Sequence, residues 1–188
     1  MGMTRQTLSF LQKYIGEYKS ICELGDQQFM SCSPQEEMSH TRNYHESLGK
    51  EYTSIDLNGL GGSLQYNLDS NLILNKEFDI VTNFGTLEHI SNYYRGFYNV
   101  HNLCKTNGLM FHVQPKTGHW PEHGNFYTTV EFFDNLAKLC NYEILTNFEE
   151  KTAVGGGNSN QIYCVYRKLP SSHFTLTEEE FYIGTYKE

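Results

Sequence analysis

The sequence predicts an α/β fold: one domain on a seven-stranded, mainly parallel sheet with helices on both faces and an antiparallel last strand. Three observations predict it. Strand-like and helix-like segments alternate from Ile21 to Arg167, as they do where parallel strands are joined by helical crossovers. Two runs, Ile21-Cys22-Glu23-Leu24-Gly25 and Tyr52-Thr53-Ser54-Ile55-Asp56, carry acids at or near their ends and are separated by a helix-length segment; a parallel sheet presents such acids to a ligand where the chain leaves its strands. Residues 142–148 and 162–167 then alternate on either side of a connection containing Gly155-Gly156-Gly157, as an antiparallel pair does. A chain of 188 residues is large enough for a real core, and no linker-like break divides it. The expected division is a leading helix over 1–19, a core over 20–168 and a tail over 169–188.

The elements follow in order. Residues 7–15 place Leu8, Leu11, Tyr14 and Ile15 on one face with Phe10 beside it, predicting an amphipathic helix laid on the sheet and ended by Gly16. The first strand ends at Gly25, where glycine lets backbone approach a ligand. After a polar loop, Ser33 as N-cap and Pro34 at the first helical position start a helix expected to run to about Leu48, with Gly49 closing it. Asp56 ends the second strand, and its carboxylate can accept hydrogen bonds from two vicinal hydroxyls. The glycines of Gly59-Leu60-Gly61-Gly62 argue against a helix, so a short connection leads to a third strand over 63–68. The apolar run 78–84 is the fourth strand and the centre of the sheet, left at Gly85. Residues 86–90 turn into a helix carrying Tyr93, Tyr94, Phe97 and Val100. The turn Lys105-Thr106-Asn107-Gly108 precedes a fifth strand over 109–113, and a loop over 116–127 follows. A helix over 130–139 shows an apolar face of Phe132, Phe133, Leu136 and Leu139 before the final hairpin.

Taken together, Glu23-x-Gly25, Asp56, the run Phe78-Asp79-Ile80-Val81-Thr82-Asn83-Phe84-Gly85-Thr86-Leu87-Glu88-His89 and Asn107-Gly108-Leu109 resemble, in order and spacing, a class I S-adenosylmethionine-dependent methyltransferase over about residues 20–168. The resemblance implies a Rossmann-like methyltransferase fold, S-adenosyl-L-methionine as cofactor, and methylation of a small organic acceptor, a sugar or planar metabolite, on oxygen or nitrogen. It implies cofactor contacts from Glu23, Gly25, Gln27, Asp56, Leu57, Asn58, Leu68, Asp69, Asn83, Phe84 and Gly85. Leu57 and Asn58 would lie beside adenine and ribose, and Asp69 matches an acid that contacts the adenine amino group, a turn or cap role being its alternative. The chain departs from the family at Gln27 and Gln28, which replace glycines, and in lacking a helix between strands two and three.

Methyl transfer from a sulfonium needs an oriented acceptor and, for some acceptors, a base. His119 is the first choice, with Glu88 and His89 also placed where an acceptor would approach. His112, Trp120, His123 and Tyr127 are the expected substrate contacts, the last three in the unusual loop His119-Trp120-Pro121-Glu122-His123-Gly124-Asn125-Phe126-Tyr127; loops presented by a rigid sheet carry function. Glu88-His89 also echoes a subgroup that binds a divalent metal through E-x-x-E-H and a later histidine. Gly85 stands where the first glutamate would be, and no metal is expected. The bland alternatives are a glutamate favouring a helix N-terminus and histidines that pack or sit in solvent.

The formal net charge is −8, and the fourteen Lys and Arg are dispersed, which disfavours a nucleic-acid substrate. Five widely spaced cysteines, none in C-x-x-C, read as reduced thiols of a cytosolic protein. No apolar segment reaches membrane-spanning length, so a soluble, unanchored, cytoplasmic protein is expected. The tail, with Glu178-Glu179-Glu180 and Phe174, Phe181, Tyr182 and Tyr186, is either a helix docked on the body or a partner-binding segment, a homodimer contact included. A nicotinamide-dependent dehydrogenase is disfavoured because Gly25-Asp26-Gln27-Gln28 lacks G-x-G-x-x-G. A non-catalytic scaffold with the same fold remains the alternative.

Overall fold

The computed structural model describes residues 2–30, 40–152, 159–182 and 186–187. In chain order its elements are β1 (Met3–Thr4), α1 (Arg5–Tyr14), β2 (Ser20–Leu24), β3 (Phe29–Met30), α2 (Thr41–Ser47), β4 (Glu51–Asp56), a 3-10 turn (Leu60–Gly62) and β5 (Leu64–Gln65). Then come β6 (Phe78–Phe84), a second 3-10 turn (Leu87–His89), α3 (Tyr93–Leu103), β7 (Cys104–Pro115), β8 (Phe126–Tyr127), α4 (Val130–Cys140), β9 (Tyr142–Lys151), β10 (Asn160–Lys168), α5 (Glu178–Phe181) and β11 (Tyr186–Lys187).

Seven strands form one sheet in the order β5-β4-β2-β6-β7-β10-β9. The first five of these pair in parallel, and β10 runs antiparallel to both of its neighbours. The reversed strand is thus last of the seven in sequence but sits inside the sheet, between β7 and β9. All five residues of β2 are buried and β6 is buried except at Asp79, because helices cover both faces and leave no solvated side to alternate with. On one face α3, α4 and the tail pack Phe97, Val100, Phe132, Phe133, Leu136 and Phe181 together. On the other, α1 sets Phe10 and Leu11 against Ile21, Ile80, Phe111 and Tyr163. Phe10 meets both Phe111 and Tyr163 edge to face, at 5.8 and 5.0 Å. Truncating a buried phenylalanine of this kind to alanine costs about 3 to 5 kcal/mol.

Local chemistry sets the ends of the helices. Thr4 caps α1 by accepting from the Thr7 N–H, Thr129 caps α4 by accepting from Phe132, and Asn141 closes α4 in the left-handed conformation. The predicted helix over 34–48 is described only from Thr41, since Ser33 and Pro34 lie outside the described residues. The third strand is two residues long, and the glycines before it form the 3-10 turn. The predicted turn 105–108 lies inside β7. Between Phe78↔Cys104 and Ile80↔Leu109 the pairing with β6 slips, Asn107 takes φ +65°, and a Cβ on Gly108 would stand 2.9 Å from the Asp79 carbonyl. The excursion is a bulge, accommodated by a residue type that tolerates positive φ and by a glycine where two backbones meet.

In the tail, Thr177 and Glu180 form a reciprocal capping box, and Phe174, Leu176 and Phe181 are buried in the core. Cys22, Cys104, Cys140 and Cys164 are buried free thiols, while Cys32 lies outside the described residues. Among the described residues no helix is long and apolar enough to cross a membrane.

Candidate functional site

The parallel strands β2, β4 and β6 end side by side, and a cavity of about 440 Å³ opens beyond their C-terminal ends, where open α/β sheets receive ligands. Gly25 turns out of β2 at φ +84°, its N–H donating to the Ile55 carbonyl at 2.7 Å. A Cβ there would stand 2.7 Å from the Thr86 hydroxyl, so the position excludes any side chain. Thr86 in turn donates to the Leu24 carbonyl at 2.6 Å, tying the end of β6 to the end of β2. Gln27 is buried, and its amide nitrogen lies within hydrogen-bonding distance of the carbonyls of Leu24 and Phe84, at 3.1 and 3.3 Å. Its amide oxygen is buried and has no hydrogen-bond partner among the described residues. Across the cavity, Asp56 accepts from the backbone N–H groups of Asp26 and Asn58 at 3.0 and 3.1 Å. Asp69 accepts from those of Ser91 and Asn92 at 2.8 and 2.7 Å.

A second, smaller cavity has a volume of about 190 Å³. Phe84, Val113, Trp120 and His123 line it together with Thr4 and Thr7 from the start of α1. Phe84 belongs to this cavity and Gly85 to the first; His123 faces the second, and His89, whose ring centroid is 5.0 Å from that of His123, faces the first. The histidine pair thus contributes one residue to the lining of each cavity.

Beneath the pair lies Glu88, fully buried. Its Oε2 accepts from the Gln114 amide at 3.1 Å, and the Gln114 oxygen accepts from the Tyr93 hydroxyl at 2.7 Å. Its Oε1 stands 3.9 Å from Nε2 of both His89 and His123. Among the described residues neither Glu88 Oε1 nor His123 Nε2 has a hydrogen-bond partner, and both are buried. Burial pushes the Glu88 carboxyl up to about 7 and pulls both histidines below their ordinary value, His89 further through its neighbour His123. The loop that carries His123 is fastened to the Leu87–His89 turn: the Asn125 N–H donates to the Glu88 carbonyl at 2.6 Å, its side-chain amide donates to the carbonyls of His89 and Ile90, and Gly124 packs flat against Glu88.

In sequence comparisons neither a family model nor a curated protein matches the chain. Solved structures do. The 1,6-didemethyltoxoflavin-N1-methyltransferase of Burkholderia thailandensis superposes with a TM-score of 0.64 at 14% identity, over 88% of this chain and 77% of that one. A SAM-dependent methyltransferase from Methanosarcina mazei does so with a TM-score of 0.58 at 14% identity, over 90% and 99%. The fold is that of the class I S-adenosylmethionine-dependent methyltransferases. The [4+2]-cyclase SpnF shares it, with a TM-score of 0.62 at 12% identity over 88% and 80% of the two chains, so this methyltransferase fold does not by itself name a reaction.

Against that fold the predicted residues sort by place. Gly25, Gln27, Asp56, Leu57, Leu68, Asp69, Gly85 and His89 all line the first cavity, while Phe84, Trp120 and His123 line the second. Glu23 belongs to neither. Its side chain is buried within the sheet and accepts from Thr41 and from the Tyr52 hydroxyl at 2.8 Å, holding α2 to β2 and β4. Asn83 is buried between His112 and the Leu87 N–H, and the Asn58 side chain accepts from Leu60. His112 is a core residue stacked on Phe97 at 4.7 Å, with burial lowering its pKa to about 3. Tyr127 is buried and braces its own loop, its hydroxyl donating to the Trp120 carbonyl and accepting from the N–H groups of His123 and Gly124. His119 lines neither cavity; its Nδ1 accepts from the Asn160 N–H at 3.3 Å. Sequence reasoning missed Thr86 and Gln114. The cue was present in both cases: a hydroxyl directly after the strand-end glycine, and an amide closing an apolar strand.

Proposed function

We propose that the protein is an S-adenosylmethionine-dependent methyltransferase acting on a small organic acceptor, a sugar or planar metabolite, at oxygen or nitrogen. The observation that carries this reading is the first cavity, with Gly25, Gln27 and Asp56 around it, and a second cavity whose lining residue His123 stands 5.0 Å, ring to ring, from His89 of the first. The residues fit the cofactor. The unpartnered Gln27 amide oxygen offers an acceptor to an ammonium group, Gly25 has no room for a side chain, and Asp56 keeps acceptor capacity toward vicinal hydroxyls after its two backbone bonds. When bound, S-adenosylmethionine supplies an electrophilic methyl on a sulfonium. The chain's own part is to orient the acceptor in the second cavity, exclude water there with Phe84, Val113 and Trp120, and receive a proton at the Glu88, His89 and His123 cluster if the acceptor carries one. His119, turned toward Asn160, has no part in this reading. Methyltransferase structures support it by fold, and that from Burkholderia thailandensis was crystallised with bound 1,6-didemethyltoxoflavin and S-adenosylhomocysteine.

A second reading, a binding protein that transfers nothing, is favoured by Gln27, whose side chain occupies a loop that glycines occupy in the family. Calorimetry with S-adenosylmethionine and with NAD, followed by a methyl-transfer screen on small hydroxylated and heterocyclic acceptors, separates the readings. The expected outcome is S-adenosylmethionine binding, no NAD binding and transfer to at least one acceptor. Cofactor binding without transfer, or no cofactor binding at all, would favour the second reading.

A further inference from the structure

The Glu88 cluster has a geometry that neither core packing nor proton transfer requires. Three potential ligand atoms, Glu88 Oε1, His89 Nε2 and His123 Nε2, all lie within 4.8 Å of one another, and Glu88 Oε1 is 3.9 Å from each imidazole nitrogen. That is too far for a hydrogen bond. It matches atoms arranged around an ion at about 2.0 to 2.2 Å, which stand roughly 3 to 4 Å apart. Two of the three atoms are buried with no partner among the described residues, and an unpaired buried carboxylate oxygen is costly to keep. The surroundings are those of a held ligand set. Gln114, itself fixed by Tyr93, orients the carboxylate through its other oxygen, and Asn125 and Gly124 clamp the loop that brings His123 opposite Glu88.

We propose that Glu88, His89 and His123 form a binding site for a divalent transition-metal cation; in the metal-loaded protein these three side chains are ligands and do not accept the acceptor's proton. Two imidazoles and one carboxylate suit Zn²⁺, Co²⁺ or Mn²⁺ and do not suit the all-oxygen preference of Mg²⁺ or Ca²⁺. Three protein ligands leave at least one position open. His89 faces the first cavity and His123 the second, so an oxygen of a bound acceptor could fill that position; this last clause alone rests on the methyl-transfer reading.

The test uses the full chain, stripped with a chelator and titrated with Co²⁺. One equivalent is expected to bind with the visible absorption of a four- or five-coordinate nitrogen and oxygen site, to be displaced by Zn²⁺ and to survive excess Mg²⁺. Glu88→Gln and His123→Ala should weaken Co²⁺ binding by at least roughly tenfold to a hundredfold, whereas His173→Ala, an exposed histidine elsewhere, should leave it unchanged. His89→Ala alters a half-exposed side chain and serves as the decisive variant should Glu88→Gln fail to fold. Absence of a stoichiometric site in the parent protein, or binding that persists in His89→Ala and His123→Ala, would overturn the proposal. Since the readout is cobalt itself, a protein that binds the metal but not S-adenosylmethionine would support this site while ending the methyl-transfer reading.

Discussion

The carboxylate of Asp56 already accepts two backbone N–H groups, which aims it before any ligand arrives. Replacing it with alanine removes a charge-assisted acceptor from the ribose position of the proposed cofactor, and Asp56→Ala should weaken S-adenosylmethionine binding by about 1.5 to 3 kcal/mol. Calorimetry on parent and variant checks this, and equal affinities would remove Asp56 from the site. Legibility at this scale depended on whether a residue's role was set by its strand end or by its environment. Gly25, Asp56 and Gly85 were readable because position at the end of a parallel strand dictates which way the backbone opens. Glu23 sits one residue before the end of the same strand, and alternation turns its side chain into the body, toward Thr41 and Tyr52. His112, expected as a substrate contact, is a stacked core residue, a distinction that only its aromatic neighbours make.

Among elements, the segment from β7 to β8 shows how a loop becomes part of a site. Tyr127 gathers it with one hydroxyl, which donates to the Trp120 carbonyl at 2.7 Å and accepts from two N–H groups at 3.0 and 3.2 Å. Tyr127→Phe leaves the ring packed and orphans those groups, so it should cost about 1 to 3 kcal/mol in urea unfolding and loosen the placement of His123, visible as weaker Co²⁺ binding. A variant with parent-like stability would mean the loop is held by its backbone contacts to Glu88 instead. Thr129→Ala, which removes the α4 cap, should cost about 1 kcal/mol by the same measurement, with Co²⁺ binding at the proposed site unchanged. The helices α1 and α4 and the strand β6 were legible because each carries a strong period or an apolar run. The two-residue β5 and the bulge inside β7 were not, because glycine-rich connections leave no periodicity, and an Asn-Gly pair reads the same in a turn as in a bulge. The convergence of Glu88 with His123 was half legible: adjacent parallel strands bring their following loops together, but the side chains that meet depend on the Asn125 and Gly124 contacts.

For the whole molecule, the placement of its histidines predicts how it responds to acid. His101 and His112 are buried, and desolvation by burial, in His101 with the nearby Lys168, lowers them from 6.5 to about 4 and about 3. A base whose folded pKa is depressed takes up its proton more readily when unfolded, so its contribution is intact above about pH 6.5 and is lost as the pH falls from there toward 4 and 3. Asp79, held by Lys105 and the N–H groups of Lys19 and Ser20, is lowered from 3.8 to about 2. Its stabilisation is present above about pH 4 and is lost between there and 2. Glu88 acts the other way without a bound cation: its carboxyl, raised from 4.5 to about 7, gains stability as the pH falls through that range. The histidine and glutamate effects overlap between about pH 6.5 and 4.5, so the informative quantity is a difference between variants. His112→Gln keeps a polar partner for Asn83 and cannot titrate. Urea midpoints measured across that range should fall less steeply with acid in the variant than in the parent, by an amount on the order of a few kcal/mol at the acid end. Parallel curves would mean that His112 opens to solvent before the chain unfolds, and would place the acid sensitivity in that range on His101.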